Sequence, residues 1–319
     1  QIKDASIMLQ SKIILFLISL ILVPAFLTAE EEGREKTNSI IGYGDALVLG
    51  LVEGITEFLP ISSTGHLILV KEQIMDPSSM DASQEEAVDA YLIVIQAGAI
   101  LAVALLYARR ISTILLGFLG LDPKGKKLGI NILAAFAPAA ALGPFLDSWI
   151  ESYLFGSIPV AISLILGAGL MHWAEKRKRI LDGADLGSGK NLNELNIRNC
   201  LVVGLLQCVA MCPGTSRSMM TIVGGYLVGL SRGQAAEFSF LLGLVTLTAA
   251  AAYKGLTKGE TLLANLEYGP MFFGCLVAGV AAAFSVRWLV GYLARKGLGL
   301  FVWYRLVLGF LILSMCVEF

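Results

Sequence analysis

Two short segments hold most of the residues able to do chemistry. In the first, Glu53 and Glu57 stand four apart, ahead of Pro60-Ile61-Ser62-Ser63-Thr64-Gly65-His66. In the second, Pro213-Gly214-Thr215-Ser216-Arg217-Ser218 leads to Thr221. The i,i+4 spacing puts both carboxylates on one helix face. Two carboxylates held together away from water repel, so they need a shared proton, an arginine or a divalent cation. Oxygen ligands favour Mg²⁺ or Ca²⁺, and Mg²⁺ is often held by one or two carboxylates plus substrate phosphates. Glu53 and Glu57 are therefore the candidate metal ligands. The bland alternative is a helix face turned to lipid headgroups.

In both segments Ser and Thr sit where a new helix begins, the preferred capping chemistry. Free N–H groups and the helix dipole make such ends anion sites. Arg217 adds a planar five-donor fork suited to phosphate. Two converging helix starts with one guanidinium describe a phosphate or pyrophosphate pocket. Its candidate binding residues are Ser62, Thr64, Gly65, Gly214, Ser216, Ser218 and Thr221. His66 can act as general acid, general base or nucleophile near neutral pH, or simply cap the turn. Other polar residues are read as bystanders. His172 beside Trp173 belongs at the interface, Gln96 and Glu237 brace the short segments, and Arg305 snorkels from the last span.

The elements that position these groups follow from composition. Of 319 residues, 56% are hydrophobic and 15% charged, against roughly 25% charged in a soluble domain. That excludes a soluble enzyme and points to an all-α polytopic membrane protein in a bilayer. A formal net charge of −1 excludes a nucleic-acid binder, which needs a basic excess. Five cysteines are too few and odd for a disulfide framework. Spans are expected near 88–107, 128–146, 158–175, 235–253, 269–289 and 301–318. Segments 44–60 and 200–213 are apolar but too short to cross, and each runs into a second short helix (66–75 and 217–229). They read as two re-entrant hairpins. Residues 1–40 read as a hydrophobic leader, either a cleaved signal peptide or a retained signal anchor, with an acidic linker. Residues 41–319 form one membrane-embedded domain.

Positive charge at Arg109, Arg110, Lys124, Lys126, Lys127, at Lys176–Arg179 with Lys190, and at Arg295 and Lys296 marks cytoplasmic loops. The assignments alternate if the first hairpin enters from outside and the second from inside. GLVEGITEFLPISST (50–64) aligns with GLLQCVAMCPGTSRS (204–218), with Glu53 opposite Gln207 and Ser62 opposite Ser216. The expected architecture is an inverted-topology repeat, halves about 41–175 and 197–319, each a re-entrant helical hairpin plus three transmembrane helices.

EGITEFLPISSTGHLIL (53–69), VIQAGAILAV (94–103), PGTSRSMMT (213–221) and GLSRGQAAEFSFLL (229–242) together resemble the undecaprenyl-diphosphate phosphatase family, also called the bacitracin resistance protein family. The likeness covers roughly 42–318. It implies a membrane enzyme that hydrolyses a polyprenyl diphosphate lipid to the monophosphate and inorganic phosphate with a divalent cation. That reaction recycles the carrier for cell-wall synthesis and gives bacitracin tolerance. By motif, the family's catalytic groups fall on Glu53, Glu57, Ser63, His66 and Arg217, with Ser63 and His66 both open as nucleophile. Met219 stands where relatives commonly carry Gly. A transporter or flippase of a phosphorylated polyprenyl lipid is the rival reading, because it uses the same repeat and anion site. A multi-pass plasma-membrane location is expected, with catalysis on the non-cytoplasmic side; a homodimer is left open.

Overall fold

A computed structural model describes residues 41–74, 82–183, 187–264 and 267–317; the leader and linker expected over 1–40 lie outside the described residues. Tyr43–Thr56 (α1) and Ser63–Ile74 (α2) form the first hairpin. Ala82–Leu106 (α3), Ala108–Phe118 (α4), Pro123–Leu154 (α5) and Ser157–Asp182 (α6) follow. Ile197–Val209 (α7) and Arg217–Leu227 (α8) form the second hairpin, then come Arg232–Ala264 (α9), Tyr268–Lys296 (α10) and Gly299–Val317 (α11). No strand occurs among the described residues.

Six of these helices, α3, α5, α6, α9, α10 and α11, are long and apolar enough to cross a membrane. They correspond to the six expected spans, so the chain is an all-α polytopic membrane protein. α1 and α7 have 14 and 13 residues. At about 1.5 Å per residue each reaches roughly 20 Å, short of a ~30 Å hydrocarbon core. Pro60 removes an N–H donor just past α1, and the chain turns there instead of continuing the helix. α1 packs on α10 and α7 packs on α5 through equivalent glycines. A Cβ on Gly50 would sit 2.7 Å from the Gly274 carbonyl, and one on Gly204 2.3 Å from that of Ala135. In lipid, where no hydrophobic force draws helices together, such close backbone approach is what holds them.

Three sequence readings change. The basic stretch after the first span is a helix, α4, with Leu115, Leu116 and Phe118 exposed. Its amphipathic character suits the membrane surface. The run Lys176–Arg179 lies on α6, which continues to Asp182, and Lys178 is buried. Lys178 donates to Asp182 at 2.5 Å, and buried Arg232 donates to Asp182 at 2.5 Å and to Glu175 at 2.9 Å. Glu175 also accepts from the Leu298 amide at 3.0 Å, so paired charges tie the end of α6 to the start of α9 and to the α10–α11 turn. Finally, Arg305 does not snorkel. It is fully buried, because protein carbonyls, not headgroups, satisfy its donors.

Candidate active site

Both hairpin tips turn through a serine in the left-handed region. Ser62 has φ 74° and Ser216 φ 75°, and no other non-glycine residue among those described has a positive φ. Such a conformation costs of order 1–3 kcal/mol and persists only where the surroundings over-determine it. Here each serine caps the helix it starts. The Ser62 hydroxyl accepts from the Gly65 amide and that of Ser216 from the Met219 amide, both at 3.3 Å. The residue that follows each serine is thereby turned toward Glu57. In the first hairpin it is Ser63; in the second it is Arg217.

The two meet at one carboxylate. The Ser63 hydroxyl donates to Glu57 Oε2 at 2.5 Å, and Arg217 Nη2 donates to Glu57 Oε1 at 3.0 Å. Arg217 also donates through Nη1 to the Ser239 carbonyl at 3.2 Å, and its guanidinium lies 5.4 Å from the Phe58 ring centre. Its Nε is buried without a partner. Glu53, one turn before Glu57, is buried. The charges of Glu57 and Arg217 both act on it, Gln96 bonds to its carboxyl, and its Oε1 has no partner.

His66 is buried but turned elsewhere. Its Nδ1 lies 2.6 Å from the Ser62 carbonyl and its Nε2 2.6 Å from the Tyr304 hydroxyl. A carbonyl only accepts, so Nδ1 carries the proton and Nε2 accepts from Tyr304. Of the expected binding residues, Ser218 donates to the Leu59 carbonyl at 2.7 Å and Thr221 to the Arg217 carbonyl at 2.9 Å. Ser216 lies 3.1 Å from Ser218. These hydroxyls, with that of Ser62, hold the tips in shape. Ser63 and Thr64 are half-buried, while Gly65 and Gly214 are buried beside Val160. Glu237 is not at the tips; it pairs with Arg110 at 2.7 Å.

The acidic pair suits a hard, oxygen-seeking cation. Glu53 offers an open buried oxygen, and each Glu57 oxygen keeps a second lone pair beyond the one that accepts from Ser63 or Arg217. Among the described residues no third His, Cys, Asp or Glu joins them in one cluster. A phosphate would have to complete such a site. Gly243 and Tyr304 escaped sequence reasoning, and Arg305 was named there only as a snorkelling side chain. A Cβ on Gly243 would lie 2.0 Å from Arg217 Nη1, so this glycine makes room for the guanidinium. Tyr304 and Arg305 sit in an apolar span, and only the incongruity of Arg305 there signalled them.

Comparison with known proteins gives a consistent result. The family model described as bacitracin resistance protein BacA matches residues 46–311. Undecaprenyl-diphosphatase 2 of Rhodospirillum rubrum is 44% identical over 269 residues, which cover 84% of this chain and 93% of the relative. The undecaprenyl-diphosphatase of Azotobacter vinelandii is 42% identical, covering 84% and 92%. That of Sorangium cellulosum is 42% identical over 276 residues, covering 84% and 85%.

Proposed function

The chain belongs to the bacitracin resistance protein family, and from that premise we propose that it hydrolyses undecaprenyl diphosphate to the monophosphate and inorganic phosphate. The observation that carries the chemistry is the single carboxylate shared by Ser63 and Arg217. Ser63 Oγ attacks the terminal phosphorus as its proton passes to Glu57, and the anhydride P–O bond breaks with undecaprenyl monophosphate as leaving group. Water then cleaves the phosphoserine ester, and the serine recovers its proton. Arg217, with its unpartnered Nε and N–H groups not committed to Glu57 or Ser239, steadies charge on the transferring phosphoryl group. The sequence left Ser63 and His66 open as nucleophile. Ser63 is favoured here, because it contacts a carboxylate base while both His66 nitrogens are engaged.

A divalent cation, Mg²⁺ or Ca²⁺, would be held by Glu53 and Glu57 and would offset phosphate charge when bound. The polyprenyl tail stays in the bilayer. We assign the site to the non-cytoplasmic face of a plasma membrane, on the support of the Lys and Arg bias of the loops. Carrying a phosphorylated lipid across the bilayer would need Arg217 but no serine bonded to a buried carboxylate. Purified protein in detergent, where no two sides exist, is expected to release phosphate from undecaprenyl diphosphate, and Ser63→Ala to abolish release. If Ser63→Ala keeps wild-type turnover, the serine mechanism is wrong; if the wild type releases no phosphate with Mg²⁺ or Ca²⁺ present, so is the enzyme reading.

A further inference from the structure

The last helix carries two adjacent polar side chains that the reaction above does not use. Arg305 is fully buried in the middle of the bundle. It donates through Nε to the Leu164 carbonyl at 3.2 Å, through Nη2 to Ser163 at 3.1 Å and to Gly214 at 2.9 Å, and through Nη1 to Pro60 at 3.5 Å. Pro60 and Gly214 are matching positions. In the alignment of 50–64 with 204–218 they face each other, each two residues before the left-handed serine of its tip. One guanidinium therefore grips the same backbone carbonyl in both hairpins. A lysine could not, because its compact ammonium lacks the planar fork. Space for the guanidinium comes from Gly167 on α6, where a Cβ would lie 2.2 Å from Nη2.

Tyr304 completes the grip on the catalytic side. Its hydroxyl donates to His66 Nε2, and the His66 Nδ1–H donates to the Ser62 carbonyl. The rings stack with centres 5.6 Å apart and planes 14° from parallel. The relay ends on the serine whose φ of 74° aims Ser63 at Glu57. We propose that Tyr304 and Arg305 are positioning residues that clamp the two hairpin tips from α11, Arg305 fixing both tips against each other and Tyr304 fixing Ser62 through His66. In this view His66 braces the nucleophile and does not take its proton. The inference rests on the Ser63–Glu57 reading of the reaction.

The test uses full-length protein in detergent, measuring kcat, KM and thermal unfolding. Tyr304→Phe, which keeps the ring, is expected to lower kcat about tenfold, the worth of one buried hydrogen bond. Because Tyr304 acts through His66, the same change in a His66→Gln background is expected to add little further loss, where independent roles would multiply. Arg305→Lys is expected to lower kcat about 10²-fold, the scale of an ångström misplacement, with KM nearly unchanged. Gly167→Ala, which crowds the guanidinium without touching its charge, is expected to act in the same direction and decides the matter if Arg305→Lys does not fold. The clamp is refuted if Tyr304→Phe and Gly167→Ala keep wild-type kcat, or if losses from Tyr304→Phe and His66→Gln multiply. Should Ser63→Ala stay active in the same assay, the underlying reaction fails, which is a separate outcome.

Discussion

Glu57→Gln separates the roles that Glu57 combines. The wild-type carboxylate accepts from Ser63 on one oxygen and from Arg217 on the other. Glutamine keeps the length but offers one oxygen and one NH₂. Turning the NH₂ toward Arg217 would set donor against donor, so the oxygen stays with Arg217 and the NH₂ faces Ser63. The serine hydroxyl must then accept where it donated, and no group remains to take its proton. General-base assistance contributes about 10²–10⁴-fold, and that is the expected loss in kcat. Stability should suffer less. The Arg217 bond survives in neutral form, at a cost of about 1–3 kcal/mol, below the ~3–5 kcal/mol of a buried pair with one partner removed. The assay is phosphate release at saturating undecaprenyl diphosphate, with thermal unfolding followed in parallel on the same detergent preparation. If a folded Glu57→Gln enzyme stays within about threefold of wild-type kcat, the carboxylate is not the base, because a lost transition-state interaction must appear in kcat.

Arg217→Ala should cut turnover by about 10²–10³-fold, the scale for one lost charge-stabilising donor, checked by the same phosphate assay. Gly243→Ala should mimic it in part, because its new Cβ would displace Nη1; kcat should fall while Glu57 and Ser63 remain intact, and an unchanged kcat would show that the guanidinium has room to move. Arg232→Ala removes one buried partner from each of Glu175 and Asp182, which keep Arg179 and Lys178. It should lower stability by about 1–3 kcal/mol, the scale of hydrogen bonds to charged groups, in denaturant or thermal unfolding, with turnover per folded molecule unchanged, since the network lies outside the site.

Much of this was legible because lipid restricts what a sequence can do. A chain with no water to satisfy its backbone must span as helices, so apolar run length alone located the six crossing helices among the described residues. The same constraint made Pro60 and Pro213-Gly214 stand out: breakers inside apolar runs belong only around a polar interior. Glu53, Glu57 and Arg217 could be named because carboxylates and a guanidinium in such breaks need partners, whereas Ser63 was singled out by the family resemblance. Direction was not legible. Nothing in the spacing of Ser63, Thr64, Gly65 and His66 tells which side chain faces Glu57, for that depends on the left-handed turn at Ser62. Arg305 was misread for a related reason. Its place near the start of a span suits snorkelling, and the carbonyls that hold it come from Pro60, Ser163, Leu164 and Gly214, far away in sequence.

The two tips share a turn and differ at the residue after it, and the proposed chemistry rests on that difference. Aligned residue by residue, Ser63 stands opposite Arg217 and Glu57 opposite Met211. Each left-handed serine presents its successor to the same central point. With a hydroxyl in both tips the site would hold two nucleophiles and nothing to steady phosphate charge; with a guanidinium in both it would bind phosphate and leave it intact. In the proposed reaction, one of each, sharing the carboxylate that only the first hairpin supplies, puts attacking atom, base and charge stabiliser on backbones of matching conformation. A scaffold suited to holding an anion becomes a hydrolase by making its two halves unequal at that position. Arg305, which treats both tips alike, keeps them in register while they do different work.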